Sequence, residues 1–277
     1  MTSSVIVPPV LTPPLRGEAV KHLRRYFGPV GGTTGWAGSR FERLAGGGDR
    51  PETVDRFTAD DLVAVSLLSV NVPPHGAIDL LETRADEFAQ LLAEIPHDVE
   101  IVDLESIPDD WAPGRLWKTL RDIHGIGWVT AGKLLARKRP RLVPVYDTVV
   151  RAAVQPTASF WEALRAELRA DDRALPRHLD ALRAAAGSVA ASAALRVGHG
   201  HPGAAPRGAA ARARARRSGA QARGPPAPHD RALHRHLVSL RDEAGIGDDI
   251  SALRVFDVVV WMHHRYLVPT ADSEVAR

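Results

Sequence analysis

The sequence predicts a mostly α-helical protein, and three observations predict it. Apolar residues recur near a 3.6-residue period along most of the chain. No series of alternating strand patterns appears. Candidate helix starts and stops coincide with capping residues, prolines and glycines. The 277 residues suffice for one large domain or two small ones.

The elements follow in order. Residues 1–17 are Pro-rich without a core pattern, and are expected to be a flexible N-terminal segment. "GEAVKHLRRYF" (17–27) predicts a short helix. Residues 28–48 read as a Gly-rich loop with a turn of helix near 39–45. "TADDLVAVSLLSVNV" (58–72) predicts a buried helix, with Thr58 as N-cap, acids in its first turn and Pro73-Pro74 as its stop. Residues 76–95 predict one or two helices, 99–106 a connection, and 114–123 an amphipathic helix. "WVTAGKLLARK" (128–138) is the next helix. "PVYDTVVRAAV" (144–154) starts another at its proline, and 159–185 gives one or two more.

An internal duplication follows. "DDRALPRHLDALRAAAGSVAASAALRV" (171–197) aligns without gaps with "HDRALHRHLVSLRDEAGIGDDISALRV" (229–255), with 15 of 27 positions identical. In the second copy Leu233, Leu237 and Leu240 form an apolar stripe, and Gly245 fits a helix stop. That copy runs on into "FDVVVWMHHRYLV", an apolar stretch with Leu253, Phe256, Val260 and Trp261 facing inward. The first copy runs into residues 198–228, with six Arg, no acid and no large aliphatic or aromatic residue. Such an Arg/Ala/Gly/Pro-rich insert lacks the apolar surface that would offset its ordering entropy, so disorder is expected. The expected organisation is a flexible segment at 1–17, a helical domain at 18–197, the insert at 198–228, C-terminal helices at 229–267 returning to the same core, and a tail at 268–277.

Composition excludes several chemistries. There is no cysteine, hence no disulfide, thiolate metal site or cysteine nucleophile. No apolar run reaches membrane-spanning length, and the start lacks a basic leader, so a cytoplasmic protein with no membrane partner is expected. The pI of about 9.6 comes from one place. Residues 171–228 carry a net +7 while the whole chain is +3, leaving −4 elsewhere. A nucleic-acid argument must therefore rest on local patches. The pairs His263-His264 and His234/His236 lack an acidic companion at ligand spacing, so no metal is expected. "GPVGGTTG" lacks the Lys-Ser/Thr of a phosphate loop, and no cofactor is expected.

One stretch, "IHGIGWVTAGKLLARKRPRLVPVYDTVVR" (123–151), concentrates chemistry. Gly125 and Gly127 bracket a tight turn around Ile126 and permit positive φ and close backbone approach. Trp128 opens a helix whose first amides can meet a phosphate, with the small Thr130 and Ala131 allowing close packing. Lys133, Arg137, Lys138 and Arg139 follow. They read either as a phosphate-contacting strip or as a solvated helix face. Asp147, in an apolar setting at a helix start, reads either as a cap or as a carboxylate that stabilises a cationic transition state or activates water.

At these residues the sequence resembles the helix–hairpin–helix DNA glycosylases, the endonuclease III-like superfamily. Gly125, Ile126, Gly127, Thr130 and Ala131 match the hairpin. Asp147, Thr148 and Arg151 match the following Val-Asp-Thr-x-Val-x-Arg context, with Asp147 20 residues after Gly127. Leu68 and Ser69 fit the family's early buried helix, and the resemblance spans about residues 55–155. It implies a mostly α fold around a central helix–hairpin–helix. It also implies DNA as the partner, held through its backbone with little sequence preference by Gly125, Ile126, Gly127, Trp128, Thr130, Lys133, Arg137, Lys138 and Arg139. Monofunctional base excision through Asp147 is the implied chemistry. Val129 stands where bifunctional members carry a Schiff-base lysine, so lyase chemistry is not implied. Val70 or Asn71 replaces a strand-contacting Gln, and His124 and Tyr146 depart from the pattern. The whole chain is also similar to an uncharacterised actinobacterial family. The alternative is a non-catalytic all-α scaffold that keeps the turn for packing.

Overall fold

The computed structural model describes residues 4–28, 35–157, 159–170 and 231–267. Among these the protein is helical, with no strand. The first copy of the duplication (171–197), the insert at 198–228 and the tail at 268–277 lie outside the described residues.

The first helix, α1 (Arg16–Phe27), buries Ala19, Val20, Leu23, Tyr26 and Phe27 on one face and stops at Gly28, whose φ is 67°. The segment before it corrects the expectation of a flexible N-terminus. Val5, Val7, Val10 and Leu11 are buried, and the Ile6 amide donates to the Val154 carbonyl at 2.8 Å. Prolines set two 3-10 turns, Pro9–Leu11 and Pro13–Leu15, so burial here leaves no helical period to read.

Helix α2 (Ala59–Ser66) starts with a reciprocal capping box between Thr58 and Asp61. It is shorter than the expected 58–72 and not buried all round, since Val63 is 53% exposed. Beyond it Ser69 takes a φ of 61°, rare for a residue with a side chain. Helix α3 (Pro74–Ile78), a π turn (Asp79–Thr83) and α4 (Ala85–Ala93) occupy the next stretch. Helix α5 (Ala112–Arg121) carries proline in its first turn and buries Leu116 and Leu120.

Helix α6 (Trp128–Lys138) covers the residues its sequence predicts, packs against α2 and α5, and is buried without interruption from Thr130 to Lys138. Helix α7 (Thr148–Val154) begins four residues after the expected Pro144, because Asp147 keeps extended backbone and caps it. Helix α8 (Phe160–Arg169) follows.

The chain resumes in α9 (Ala232–Ala244), which buries Leu233, Leu237 and Leu240 and stops at Gly245 with φ 69°. In α10 (Ala252–Leu267), Leu253, Phe256 and Val260 are buried and Trp261 half-buried. Both helices pack on α1, while α9 also meets α8 and α10 also meets α7. The last helices thus close on the first. No helix among the described residues is long and apolar enough to cross a membrane.

Candidate functional site

The turn between α5 and α6 is built as its glycines suggest at one position only. Gly125 has φ 83°, and a Cβ there would sit 3.0 Å from Pro73 Cγ. Gly127 corrects the expectation of positive φ. Its φ is −77°, it is the N-cap of α6, and a Cβ on it would meet nothing within 4 Å. Ile126 is buried and anchors the turn, while His124, Gly125 and Gly127 are exposed. No side chain caps α6. Trp128 is half-buried, its ring 5.5 Å from Tyr146 with the Arg151 guanidinium 5.8 Å away, and its carbonyl accepts from Trp117 Nε1 at 3.2 Å.

The basic run points inward, which corrects the expectation of a phosphate strip. Arg137, Lys138 and Arg139 are at most 2% exposed. Arg137 donates to the carbonyls of Phe41, Glu42 and Leu44 and pairs with Asp61 Oδ1 at 3.1 Å. Lys138 Nζ donates to Thr53 O at 2.7 Å and meets Asp61 Oδ2 at 3.2 Å. Arg139 donates to the carbonyls of Val54, Leu92 and Ile95 and to Asp55 Oδ1 at 2.7 Å. These cations bind the 41–55 loop and the ends of α2 and α4 to α6. Buried charge is tolerable only with partners of this kind, and donors so engaged cannot face a DNA backbone.

Lys133 points elsewhere, into a pocket of about 560 Å³. Tyr26, Trp36 and Trp261 supply an aromatic wall, Leu68, Val129 and Val258 apolar surface, and Asp147, Arg254, Asp257 and Arg265 charge. Asp147 Oδ1 accepts the amides of Val149 and Val150 at 3.0 and 3.1 Å, fixing the carboxylate at the head of α7. Its Oδ2 lies 3.7 Å from Lys133 Nζ, which also donates to the Leu68 carbonyl at 2.8 Å beside the strained Ser69. Burial pushes the Lys133 ammonium below its ordinary value, against the pull of Asp147 and Asp257.

Behind this pair lies a second cluster. Arg254 pairs with Asp257, approaches Glu42 Oε1 at 2.7 Å, and donates to Tyr26 Oη at 2.7 Å and the Gly38 carbonyl at 3.0 Å. Burial opposes its charge, but Glu42, Tyr26 and Asp257 outweigh burial and hold it protonated. One guanidinium serves two enclosed carboxylates. Burial pushes Asp257 up to about 7, and pushes Glu42 up as well, each against Arg254. At the mouth the Arg265 guanidinium lies 5.3 and 5.1 Å from the Trp36 and Trp261 ring centres.

Of the residues singled out from sequence, the pocket joins Lys133 and Asp147 with Leu68, Ser69, Val70, Thr148 and Trp261. Gly125, Ile126, Gly127, Trp128 and Thr130 do not line it, although Val129 does. The sequence reading missed Tyr26, Trp36, Arg254, Asp257 and Arg265. A signal was present in α10: Arg254, Asp257, Trp261 and Arg265 fall at successive helical-turn spacings through an otherwise apolar run.

A pocket of this size with convergent charged groups and shifted titrations has the ordinary properties of a ligand site. No curated protein and no solved structure matches the chain. Membership of the helix–hairpin–helix glycosylases, expected from the turn and Asp147, is corrected by the family model that matches, which is not theirs. With that match extending over residues 19–199 and 226–264, the chain belongs to a family of unknown function, DUF6308.

Proposed function

We propose that the chain binds DNA at an unstacked nucleotide and hydrolyses its N-glycosidic bond through Asp147. The observation that carries this reading is Asp147 itself, a carboxylate fixed by two helix amides and opening on a pocket with an aromatic wall. Aromatic faces suit a flat base removed from its stack. A fixed carboxylate suits the positive charge that develops on the sugar as the base departs. Lys133 beside it pairs with Asp147 and donates to the Leu68 carbonyl, holding the carboxylate in place. The uncapped amides at the head of α6 and the exposed Arg121 and Arg151, stacked over Trp117 and Trp128, offer backbone contacts. They replace the buried Arg137, Lys138 and Arg139 in that role. On this reading the α5–turn–α6 unit is the backbone-contacting element.

Asparagine caps a helix about as well as aspartate, so Asp147→Asn keeps the cap, and thermal unfolding of the variant separates loss of the Lys133 pair from loss of chemistry. Duplexes bearing abasic, mismatched and damaged positions, assayed for binding across a salt series and for released base, provide the test. Binding that weakens steeply with salt and base release lost in Asp147→Asn are expected. Absence of base release from every substrate, or equal release by wild type and variant, would remove Asp147 from any mechanism. A second reading is a non-catalytic scaffold. It is favoured by Asp147 also serving as an ordinary cap and by Lys133 being anchored to Leu68. In that case Asp147→Asn alters neither binding nor chemistry.

A further inference from the structure

We infer that Glu18, His22 and His263 form a binding site for a late first-row divalent metal ion of the zinc type, at the seam between α1 and α10. The inference is independent of the pocket chemistry proposed above. Glu18 and His22 stand one turn apart on α1, and His263 reaches them from α10. Glu18 Oε1 lies 2.8 Å from His263 Nδ1 and 3.5 Å from His22 Nε2. One donor atom from each of the three falls within 4.8 Å of the others. Ligand atoms bound at about 2.1 Å around one ion stand roughly 3–3.4 Å apart, so small side-chain rotations complete the set. The two imidazole rings meet edge-on, with centroids 5.8 Å apart.

The donor chemistry selects the ion. Two imidazoles and one carboxylate favour zinc, nickel, cobalt or copper over magnesium and calcium, which take oxygen. Glu18, with a side chain 43% exposed, leaves the site open to solvent for ion entry and a water ligand. The sequence hid this set because His263 finds its acid 245 positions away, on the first helix. Tyr26 and Trp261, on the same two helices, wall the pocket, so an ion here would brace that wall.

Titration calorimetry of the full chain with zinc chloride, paired with thermal unfolding with and without zinc, tests the inference. One ion per chain and a zinc-dependent rise in Tm are expected. Glu18→Gln and His263→Ala should each weaken binding by about tenfold or more and lose the rise. Glu18→Gln keeps an acceptor for His263, so its metal-free unfolding should match wild type and the test survives a folding defect in His263→Ala. The chain has 12 histidines, so His75→Ala and His124→Ala serve as controls that should leave affinity unchanged. Cobalt(II) gives a second readout, a visible absorption band lost in Glu18→Gln. No bound zinc, or equal affinity in wild type and Glu18→Gln, would reduce the cluster to an ion pair and overturn the inference.

Discussion

Asp61 is a single carboxylate shared by two cations, Arg137 and Lys138, all three essentially without solvent. It also accepts a hydrogen bond from the Thr58 amide at 3.0 Å. Removing one partner from such a group strands the others as uncompensated buried charge, which typically costs about 3–5 kcal/mol. Asp61→Ala should therefore lose about that much stability in urea denaturation, and a loss below about 1 kcal/mol would show that the cations find other partners. Asp257 makes a pH prediction of the opposite kind. Its folded-state pKa of about 7 lies above the ordinary 3.8. Between these values the native state keeps a proton that the unfolded chain has released, so stability falls as pH rises through roughly 4 to 7 and levels off above. Asp257→Asn cannot titrate. Urea midpoints at pH 5 and pH 7.5 should differ for wild type, higher at pH 5, and converge for the variant once other groups' common slope is subtracted.

Helix α6 and its turn show how much an element's sequence discloses. Its limits were legible because the glycine-bracketed turn and the 3.6-residue apolar period mark them locally. The Thr58 cap of α2 was legible for the same reason, and so was the stop of α9 at Gly245. The environment of α6 was not. A Lys-Arg run reads as a solvated face, and only the distant Asp61, Asp55 and carbonyls of the 41–55 loop turn it inward. The pocket was half legible: Lys133 and Asp147 lie in one motif, whereas Tyr26, Trp36, Arg254 and Asp257 arrive from both ends of the chain. The turn glycines differ in a testable way. Gly125→Ala forces a side chain to positive φ against Pro73 and should cost about 1–2 kcal/mol in chemical denaturation. Gly127→Ser meets open space and supplies the cap that α6 lacks, so stability should hold or rise by a few tenths of a kcal/mol. If DNA backbone does approach that turn, Gly127→Ser should weaken binding while leaving the fold intact. Unchanged affinity would exclude close approach there.

At the scale of the whole molecule, the chain departs at the end of α8 and returns at the start of α9 in the same place. The Ala232 amide donates to the Ala170 carbonyl at 3.2 Å. Helices α9 and α10 then complete the core on α1, α7 and α8, so the second copy of the duplicated sequence fills that position. Because both ends meet, a chain with Ala170 joined directly to His229 keeps three residues, His229, Asp230 and Arg231, to bridge to Ala232. Closing so few residues costs less chain entropy than closing the whole segment. The family match covers 171–199 but passes over residues 200–225, the larger part of the segment between the two copies. A chain lacking 171–228 should therefore fold, with thermal unfolding at or above the wild-type midpoint and the same helical circular dichroism. Its net charge would move from +3 to −4, which separates two sources of any DNA affinity. Affinity carried by the pocket rim, Arg121 and Arg151 should survive the deletion with its salt dependence reduced. Affinity carried by the ten removed arginines should vanish with them. Failure of the shortened chain to fold would instead assign residues 171–228 a structural part in the core.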